Sequence, residues 1–216
     1  MKHLITITVM LVIALCASCD KKGNNDDENG NNSSNGSSTT VTKKYVVGNF
    51  YNENGVQGIV YKITDKDSLH GMIISLDEIS NCKWIADTTL EKVETRATDG
   101  NNGMDNMDTI KMLNIDDYPA FKWCDSKNTN SVTGWYLPAL NELDEIYRVY
   151  ANTALSFSDS IKTNGGTDFS PLIYWSSTEV PPPSKPISAQ TIDFNNGHSD
   201  NTPKRTPLSV RAVRAF

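Results

Sequence analysis

Strand-like and helix-like patterns succeed one another along the later part of the chain. Residues 45–51 and 56–64 are rich in β-branched and aromatic residues, which favours two strands. Between them, Asn52-Glu53-Asn54-Gly55 is a strong signal for a hairpin turn. The apolar run 71–76 and the pair Trp84-Ile85 predict a third and a fourth strand, so the domain is expected to begin with β structure.

The middle of the chain shows helical spacing. The clearest predicted helix begins at Pro138, which suits a first turn because the N–H that proline lacks has no intrahelical partner there. Its apolar positions recur at steps of three and four residues: Leu140, Leu143, Ile146, Tyr147 and Tyr150. Glu142 and Glu145 fall early in this helix and are predicted to lie on its solvated face. Residues 107–113 and 118–123 predict two shorter helices.

The pattern returns to strands towards the C-terminus. Residues 173–177, 187–194 and 208–216 each predict a strand, although Val210 and Val213 in the last one do not fit a simple alternation. Strands at both ends of the domain and helices between them indicate an α+β fold.

Two segments of different composition precede this domain. Residues 1–18 combine a short basic start, an apolar stretch and small residues before Cys19, which is the layout of a bacterial secretory signal. The segment Leu15-Cys16-Ala17-Ser18-Cys19 resembles a lipobox, so Cys19 is predicted to be lipidated and to become the mature N-terminus. A plain signal peptide with soluble release and an uncleaved anchor helix are the alternatives.

Residues 19–44 predict a lipidated, flexible linker. Asn, Ser, Gly, Asp and Lys dominate this segment, and such a composition buries too little apolar surface to offset the entropy lost on ordering. The acidic cluster Asp26-Asp27-Glu28 resembles the export signals of surface lipoproteins in Bacteroides-type bacteria, and an acidic solvated linker explains it equally well. We therefore expect a lipid anchor in the outer membrane, a location on the cell surface, and one domain over residues 45–216.

The charge balance narrows the function of this domain. The full chain has a formal charge of −6, and the acidic excess lies in residues 45–216, which hold 22 acidic and 15 basic residues. A nucleic-acid-binding surface of the usual basic kind is therefore not expected. No long apolar run follows the N-terminus, which excludes a protein with several transmembrane helices.

Two cysteines lie within the domain. Cys82 and Cys124 each stand close to a tryptophan, and a disulfide between them is a candidate in an exported protein. Two unpaired thiols in the core are the alternative, because spacing alone does not show that the side chains meet.

Four segments resemble the DUF1566 family. Residues 134–138 (Gly-Trp-Tyr-Leu-Pro), followed by Glu142-Leu143, are similar to its Gly-Trp-Arg-Leu-Pro…Glu-Leu signature. Residues 174–179 (Tyr-Trp-Ser-Ser-Thr-Glu) resemble its Tyr-Trp-Ser-Ser-Thr strand. Residues 193–197 (Asp-Phe-Asn-Asn-Gly) and 210–214 (Val-Arg-Ala-Val-Arg) are similar to its Phe-x-x-Gly turn and its closing strand. The four motifs also occur in the family's order.

The resemblance implies a C-type-lectin-like fold with paired terminal strands, central helices and a long-loop region that presents ligands. The family is similar to the C-terminal domain of a Legionella collagen-like adhesin and to the major-domain proteins of Fibrobacter. Tyr136 departs from the usual Arg of the signature, which puts in doubt any salt bridge that this Arg makes. Some lipoproteins of this kind are targets of diversity-generating retroelements, which here would vary residues 175–205.

Candidate ligand-binding residues lie near the C-terminus, where side-chain oxygen and nitrogen atoms are frequent. They are Tyr174, Glu179, Asn195, Asn196, His198, Asp200 and Asn201. Turn and loop chemistry explains the Asn and Asp residues equally well. The Glu-Pro-Asn, Gln-Pro-Asp and Trp-Asn-Asp tripeptides of calcium lectins do not occur in this sequence, so calcium is kept only as a candidate ligand. No other cofactor is expected. The residues that would bind a metal ion are unknown.

Catalysis is not expected of this sequence. The related formylglycine-generating oxidases need a reactive cysteine pair near the C-terminus, and no cysteine follows Cys124. The Gly-x-Ser-x-Gly motif of many hydrolases does not occur. We therefore expect a cell-surface lipoprotein whose lectin-like domain binds a glycan or a protein, as an adhesin or a diversified receptor. The alternative is a structural or assembly component of the envelope or of fimbriae.

Overall fold

The computed structural model describes residues 44–87, 89–129, 131–170, 172–181 and 187–216. The predicted signal peptide 1–18, the lipidation site Cys19 and the linker up to residue 43 lie outside the described residues and stay predictions. In the part of the chain that is described, no helix is long and apolar enough to cross a membrane.

Along the described residues, a group of strands is followed by helices and then by a second group of strands, which makes an α+β domain. The strands are β1 (Phe50–Glu53), β2 (Val56–Ile63), β3 (Gly71–Ile74), β4 (Ile79–Cys82), β5 (Ile173–Glu179), β6 (Ser188–Asp193), β7 (Ser199–Pro203), β8 (Leu208–Val210) and β9 (Val213–Ala215). The helices are α1 (Gly103–Leu113), α2 (Pro119–Asp125) and α3 (Leu140–Thr163), with a 3₁₀ helix at Ile115–Asp117. The predicted α+β class is therefore confirmed.

The first sheet is antiparallel and has the strand order β1-β2-β3-β9. Strands β1 and β2 form the predicted hairpin, and its two central residues, Asn54 and Gly55, have φ angles of 51° and 77°. Positive φ at both positions is what a two-residue type I′ turn requires, and Asn-Gly is the pair that tolerates it best. This turn is therefore decided by the local sequence.

The terminal strands are not paired with each other, so this part of the expected arrangement is wrong. Strand β1 bonds to β2 and β9 bonds to β3, which places them on opposite edges of one sheet. The reason is that β2 and β3 pair with each other and leave one free edge for each terminal strand. The two ends of the domain meet instead through side chains, because the rings of Tyr45 and Tyr51 lie 4.8 and 4.6 Å from the Phe216 ring.

The second sheet has the order β4-β8-β5-β6-β7, in which β5 and β8 are parallel and the other pairs are antiparallel. Helix α3 packs against β2 of the first sheet and against β5 and β6 of the second, whereas α1 contacts β5 and α2 contacts β4. The core that results is strongly aromatic. Its largest fully buried side chains include Trp84, Trp175, Tyr61, Tyr174 and Phe121.

Residues 208–216 form two strands and not the single strand that the pattern predicts. The chain leaves the second sheet after Val210 and joins the first sheet at Val213. Arg211 and Ala212 between them are buried, and the Ala212 N–H donates to Ser75 Oγ at 3.2 Å. The poor fit of Val210 and Val213 to a simple alternation was the local sign of this break.

Trp84 and Ile85 follow strand β4 and do not form a strand of their own. Both of their N–H groups donate to the carbonyl oxygen of Lys204, at 3.0 and 3.3 Å. The Trp84 ring is fully buried, and its indole N–H donates to the Ser176 carbonyl at 3.0 Å. The apolar character of this pair therefore reflects a place in the core.

Helix α3 begins at Leu140, two residues later than predicted, and contains a kink at Thr153. Glu142 was predicted to lie on the solvated face of this helix, and this prediction is wrong. Its side chain is half-buried at the start of the helix. Its Oε2 accepts the N–H of Ala139 at 2.8 Å and the N–H of Gly103 at 3.1 Å. The carboxylate thus joins the first turn of α3 to the start of α1.

Tyr136, which stands where the DUF1566 signature that this segment resembles has an Arg, also contacts Glu142. Its hydroxyl donates to Oε1 of Glu142 at 2.7 Å, so a hydrogen bond from an uncharged donor occupies the place of a salt bridge. Burial raises the pKa of Glu142, although the hydrogen bonds from Tyr136, Ala139 and Gly103 oppose the shift.

Candidate ligand-binding site

Tyr174 is not available to a ligand, in contrast to the expectation from sequence. Its side chain is fully buried on β5, and its hydroxyl donates to Oε2 of Glu78 at 2.7 Å. The same hydroxyl accepts the N–H of Ser170 at 3.1 Å. Neighbouring Trp175 is also buried and donates its indole N–H to the Cys82 carbonyl at 3.0 Å. Both rings of this motif therefore hold the core together.

Glu179 is likewise buried, and its carboxylate belongs to an internal ion pair. It accepts the N–H groups of Thr95 and Arg96 at 2.9 and 3.1 Å and bonds to the ammonium of Lys204. Neither side chain of the pair is exposed, and the Lys204 ammonium lies 4.6 Å from the centre of the Trp84 ring. Burial lowers the pKa of Lys204, and Glu179 opposes that shift. Glu179 therefore anchors two loops and contacts no solvent.

The other five candidates come together on one exposed hairpin, formed by β6, β7 and the turn between them. They are Asn195, Asn196, His198, Asp200 and Asn201. Gln190, Ser199, Asp200 and Asn201 line a shallow polar depression of about 260 Å³ on this hairpin. These five residues therefore lie close together in the structure, and their binding role stays a prediction.

Asp193 organises the turn of this hairpin. Its Oδ1 accepts the backbone N–H of Asn195 at 2.8 Å, and its Oδ2 accepts the side-chain amide of Asn196 at 3.1 Å. Hydrogen bonds from Asn195 and Asn196 lower the pKa of Asp193. The side-chain Oδ1 of Asn196 in turn accepts the backbone N–H of His198 at 2.8 Å. Much of the polarity at this turn is therefore used to build the turn itself.

The hairpin is a weak candidate for a metal site. Over the described residues, no group of three or more His, Cys, Asp or Glu side chains is arranged to hold a metal ion. Asn and backbone oxygens can also bind calcium, so the calcium question stays a prediction.

Cys82 and Cys124 are both buried free thiols, so the candidate disulfide is not formed. Burial raises the pKa of Cys82 to about 11 and also raises the pKa of Cys124. Thiols with raised pKa values hold little thiolate near neutral pH and react slowly. The two cysteines therefore act as core residues in this structure.

A groove that the sequence did not indicate lies outside the predicted site. It encloses about 430 Å³ and is lined by residues from four parts of the chain: 55–57, 75–77, 165–167, and the four residues Lys127, Thr129, Val132 and Trp135. These stretches are the turn into β2 and the segments that follow β3, α2 and α3. Each stretch alone looks like an ordinary turn or loop, so only their meeting point in space reveals the groove.

An ion pair forms the polar part of the groove. The Lys127 ammonium lies 2.7 and 2.6 Å from the two carboxylate oxygens of Asp77, and 3.9 Å from the centre of the Trp123 ring. The Lys127 side chain is 15% exposed, whereas the Asp77 side chain is 62% exposed. Lys127 is thus held in place by two partners, whereas Asp77 is largely exposed where it lines the groove.

The walls of the groove are mixed in character. Val56, Leu76, Val132 and Trp135 contribute apolar surface, and polar side chains and backbone alternate with them. Trp135 is held by Asn128, whose Oδ1 accepts the backbone N–H of Trp135 at 2.9 Å. A concave surface of this kind, apolar with a few oriented polar groups, is typical of ligand sites.

Comparisons with known proteins add no assignment at this point. A scan against protein-family models gave no match, and a search of curated proteins gave none either. The DUF1566 resemblance therefore rests on the motif residues alone.

Proposed function

We propose that this chain is a lipid-anchored cell-surface protein whose domain binds a ligand, either a glycan or a protein. The groove at Asp77 and Lys127 carries the proposal, because four separate stretches of chain meet there around a concavity of about 430 Å³. Small-molecule sites usually enclose about 300 to 1,000 Å³ and combine apolar walls with a few oriented polar groups. The groove lies within this range and has both kinds of wall.

We also propose that the domain is C-type-lectin-like and of the DUF1566 type. The positions of the motifs support this assignment: residues 174–179 form β5 in the second sheet, and residues 134–138 lead into α3. Residues 210–214 connect the two sheets, and the ends of the domain meet at Tyr45 and Phe216. The irregular backbone between β4 and α1 supports a long-loop region in the described residues.

The proposed anchor is a lipid on Cys19, which would hold the domain on a flexible tether. A flexible linker of this composition and length spans roughly 25–30 Å, enough to hold the domain clear of the membrane. Changing Cys19 to Ala should release the protein from the membrane fraction of the producing cells. Recovery of the variant in the membrane fraction would contradict the anchor.

The binding function is tested with an array of glycans and extracellular proteins probed with the purified protein, in calcium and in EDTA. We expect saturable binding to at least one probe, with equal strength in both buffers. Lack of binding to every probe in both buffers would reject the proposed function. If binding disappears in EDTA, this result would support a calcium site formed by oxygen atoms of the hairpin between β6 and β7.

A further inference from the structure

We propose that the groove binds a neutral, hydroxyl-rich ligand, namely a sugar unit of a glycan, through the ion pair between Asp77 and Lys127. This inference rests on the proposed ligand-binding function and adds the class of ligand and the contacts that select it. Three properties of the groove support this inference: the unused hydrogen-bonding capacity of the ion pair, the zero net charge of the lining, and the combination of apolar and polar walls.

The ion pair has hydrogen-bonding capacity to spare. An ionised carboxylate accepts at about four positions and an ammonium carries three protons, so the two contacts between them leave acceptor positions on Asp77 and one proton on Lys127. Asp77 remains largely exposed although both of its oxygens face Lys127. Two neighbouring hydroxyls of a sugar match this pair, because one can donate to Asp77 while the other accepts from Lys127.

The charge of the groove favours a neutral ligand. Asp77 and Lys127 are the charged residues among those that line it in the described part of the chain, so its formal charges cancel. A charged ligand would compete with one partner and leave the other without its counter-ion, which is costly at a partly desolvated site. The acidic excess of the domain further disfavours anionic sugars such as sialic acid.

The walls suit the two faces of a sugar ring. Val56, Leu76 and Val132 can cover its C–H groups, while Gln57 and Thr129 bring side-chain donors and acceptors to its remaining hydroxyls. A groove of about 430 Å³ is at the smaller end of ligand sites, which fits a short stretch of saccharide better than a protein surface. The groove also contains Trp135, so the intrinsic tryptophan fluorescence can report binding.

The ligand class is tested by calorimetric titration of the full-length protein with neutral oligosaccharides: lactose, maltotriose, mannobiose and N-acetylchitobiose. Sialyllactose serves as the anionic match of lactose. We expect at least one neutral sugar to bind and sialyllactose to bind more weakly than lactose. Stronger binding of sialyllactose, or binding of none of the neutral sugars, would overturn the proposal.

The site is tested with variants of the ion pair. Asp77→Asn and Lys127→Met should each weaken binding of the best neutral sugar about tenfold or more, the scale of one hydrogen bond to a charged group. Lys62→Met is the matched control, because it breaks the exposed pair of Lys62 with Glu145 outside the groove and should leave affinity unchanged. Circular dichroism melting of each variant confirms that it is folded.

The outcomes separate the two proposals. If sugar binding survives both groove variants and is lost on changing Asn201 to Ala in the hairpin, the groove assignment is wrong while the ligand-binding function stands. If the protein binds protein probes on the array and no neutral sugar, the ligand class is wrong and the function again stands. If it binds nothing, both proposals fail.

Discussion

At the scale of single residues, burial decides what each polar group can do. Glu179 was expected to contact a ligand because its side chain supplies oxygen atoms, yet it lies in the core with Lys204. Its two backbone partners, Thr95 and Arg96, lie more than eighty positions away along the chain. Local sequence carries no information about such partners, so the error arose from long-range packing.

The internal ion pair gives the first prediction. Changing Lys204 to Met should lower the free energy of unfolding by about 3–5 kcal/mol, because it leaves the Glu179 carboxylate buried without its counter-ion. Adding Glu179→Gln should recover much of this loss, since the amide oxygen still accepts the two backbone N–H groups and no charge remains. Urea denaturation of the three proteins measures both effects.

The control for this prediction is Lys162→Met, which breaks the exposed pair with Asp168 and should cost no more than about 1 kcal/mol. If Lys162→Met and Lys204→Met lower the free energy of unfolding equally, burial does not make the internal ion pair more important for stability than an exposed one.

At the scale of elements, the turn between β6 and β7 depends on one glycine, Gly197. Gly197 has a φ of 76°, and a Cβ at this position would lie 2.2 Å from Cε1 of Tyr147 on α3. The turn therefore needs both a left-handed conformation and close contact with a helix. The sequence motif identifies the turn, and only the tertiary structure identifies the helix that it contacts.

Gly197→Ala should therefore destabilise the domain by more than the positive φ angle alone would cause, because the added Cβ also clashes with Tyr147. The matched control is Gly165→Ala, which has the same φ of 76° but no atom within 4 Å of the added Cβ. We expect about 1 kcal/mol for the control and clearly more for Gly197→Ala, measured by thermal or urea unfolding. Combining Gly197→Ala with Tyr147→Ala should remove the excess; an excess that persists would exclude the clash as its cause.

The same turn should also respond to acid. The pKa of Asp193 is lowered in the folded protein, so its hydrogen bonds stabilise the turn above the ordinary aspartate pKa and are lost as pH falls through the lowered value. Carboxyl-carbon NMR should follow this titration below pH 3.8, together with amide shifts of Asn195 and Asn196. In Asp193→Asn, these amide shifts should no longer titrate. A midpoint at or above 3.8 would contradict the hydrogen-bonded turn.

At the scale of the whole molecule, Arg211 holds the crossing between the two sheets. Its guanidinium donates to the carbonyls of Ser75 and Thr167 at 3.1 and 2.6 Å and to Glu78 at 2.9 Å. These partners come from the segments that follow β3 and α3, and both segments also line the groove. The crossing of the chain between sheets and the position of the groove are therefore connected through one buried side chain.

Arg211→Met should lower the free energy of unfolding by about 3–5 kcal/mol, because it leaves Glu78 without its counter-ion in a nearly buried position. Arg214→Met is the control on the same segment, since Arg214 donates to the Thr133 carbonyl on the exposed surface, and it should cost less than about 1 kcal/mol. Chemical denaturation compares the two variants. Similar values would mean that the crossing does not depend on Arg211.

The amino-acid sequence by itself determined those features whose cause is local. The alternation of residue types predicted the α+β class, the Asn54-Gly55 turn follows from backbone sterics, and the apolar steps after Pro138 predicted helix α3 to within two residues of its start. Composition alone also separated the predicted signal and linker from the domain. Each of these features depends on residues that are close together in the sequence, so the local sequence specifies it directly.

The tertiary structure alone decided the positions of the terminal strands, the contacts of Arg211, the burial of Tyr174 and Glu179, and the groove around Asp77 and Lys127. Each of these brings together groups that are far apart in the sequence; Arg211 and Ser75, for example, are 136 positions apart. Such contacts form because the whole domain must bury its apolar surface and satisfy its buried polar groups at once. No short pattern records that joint requirement.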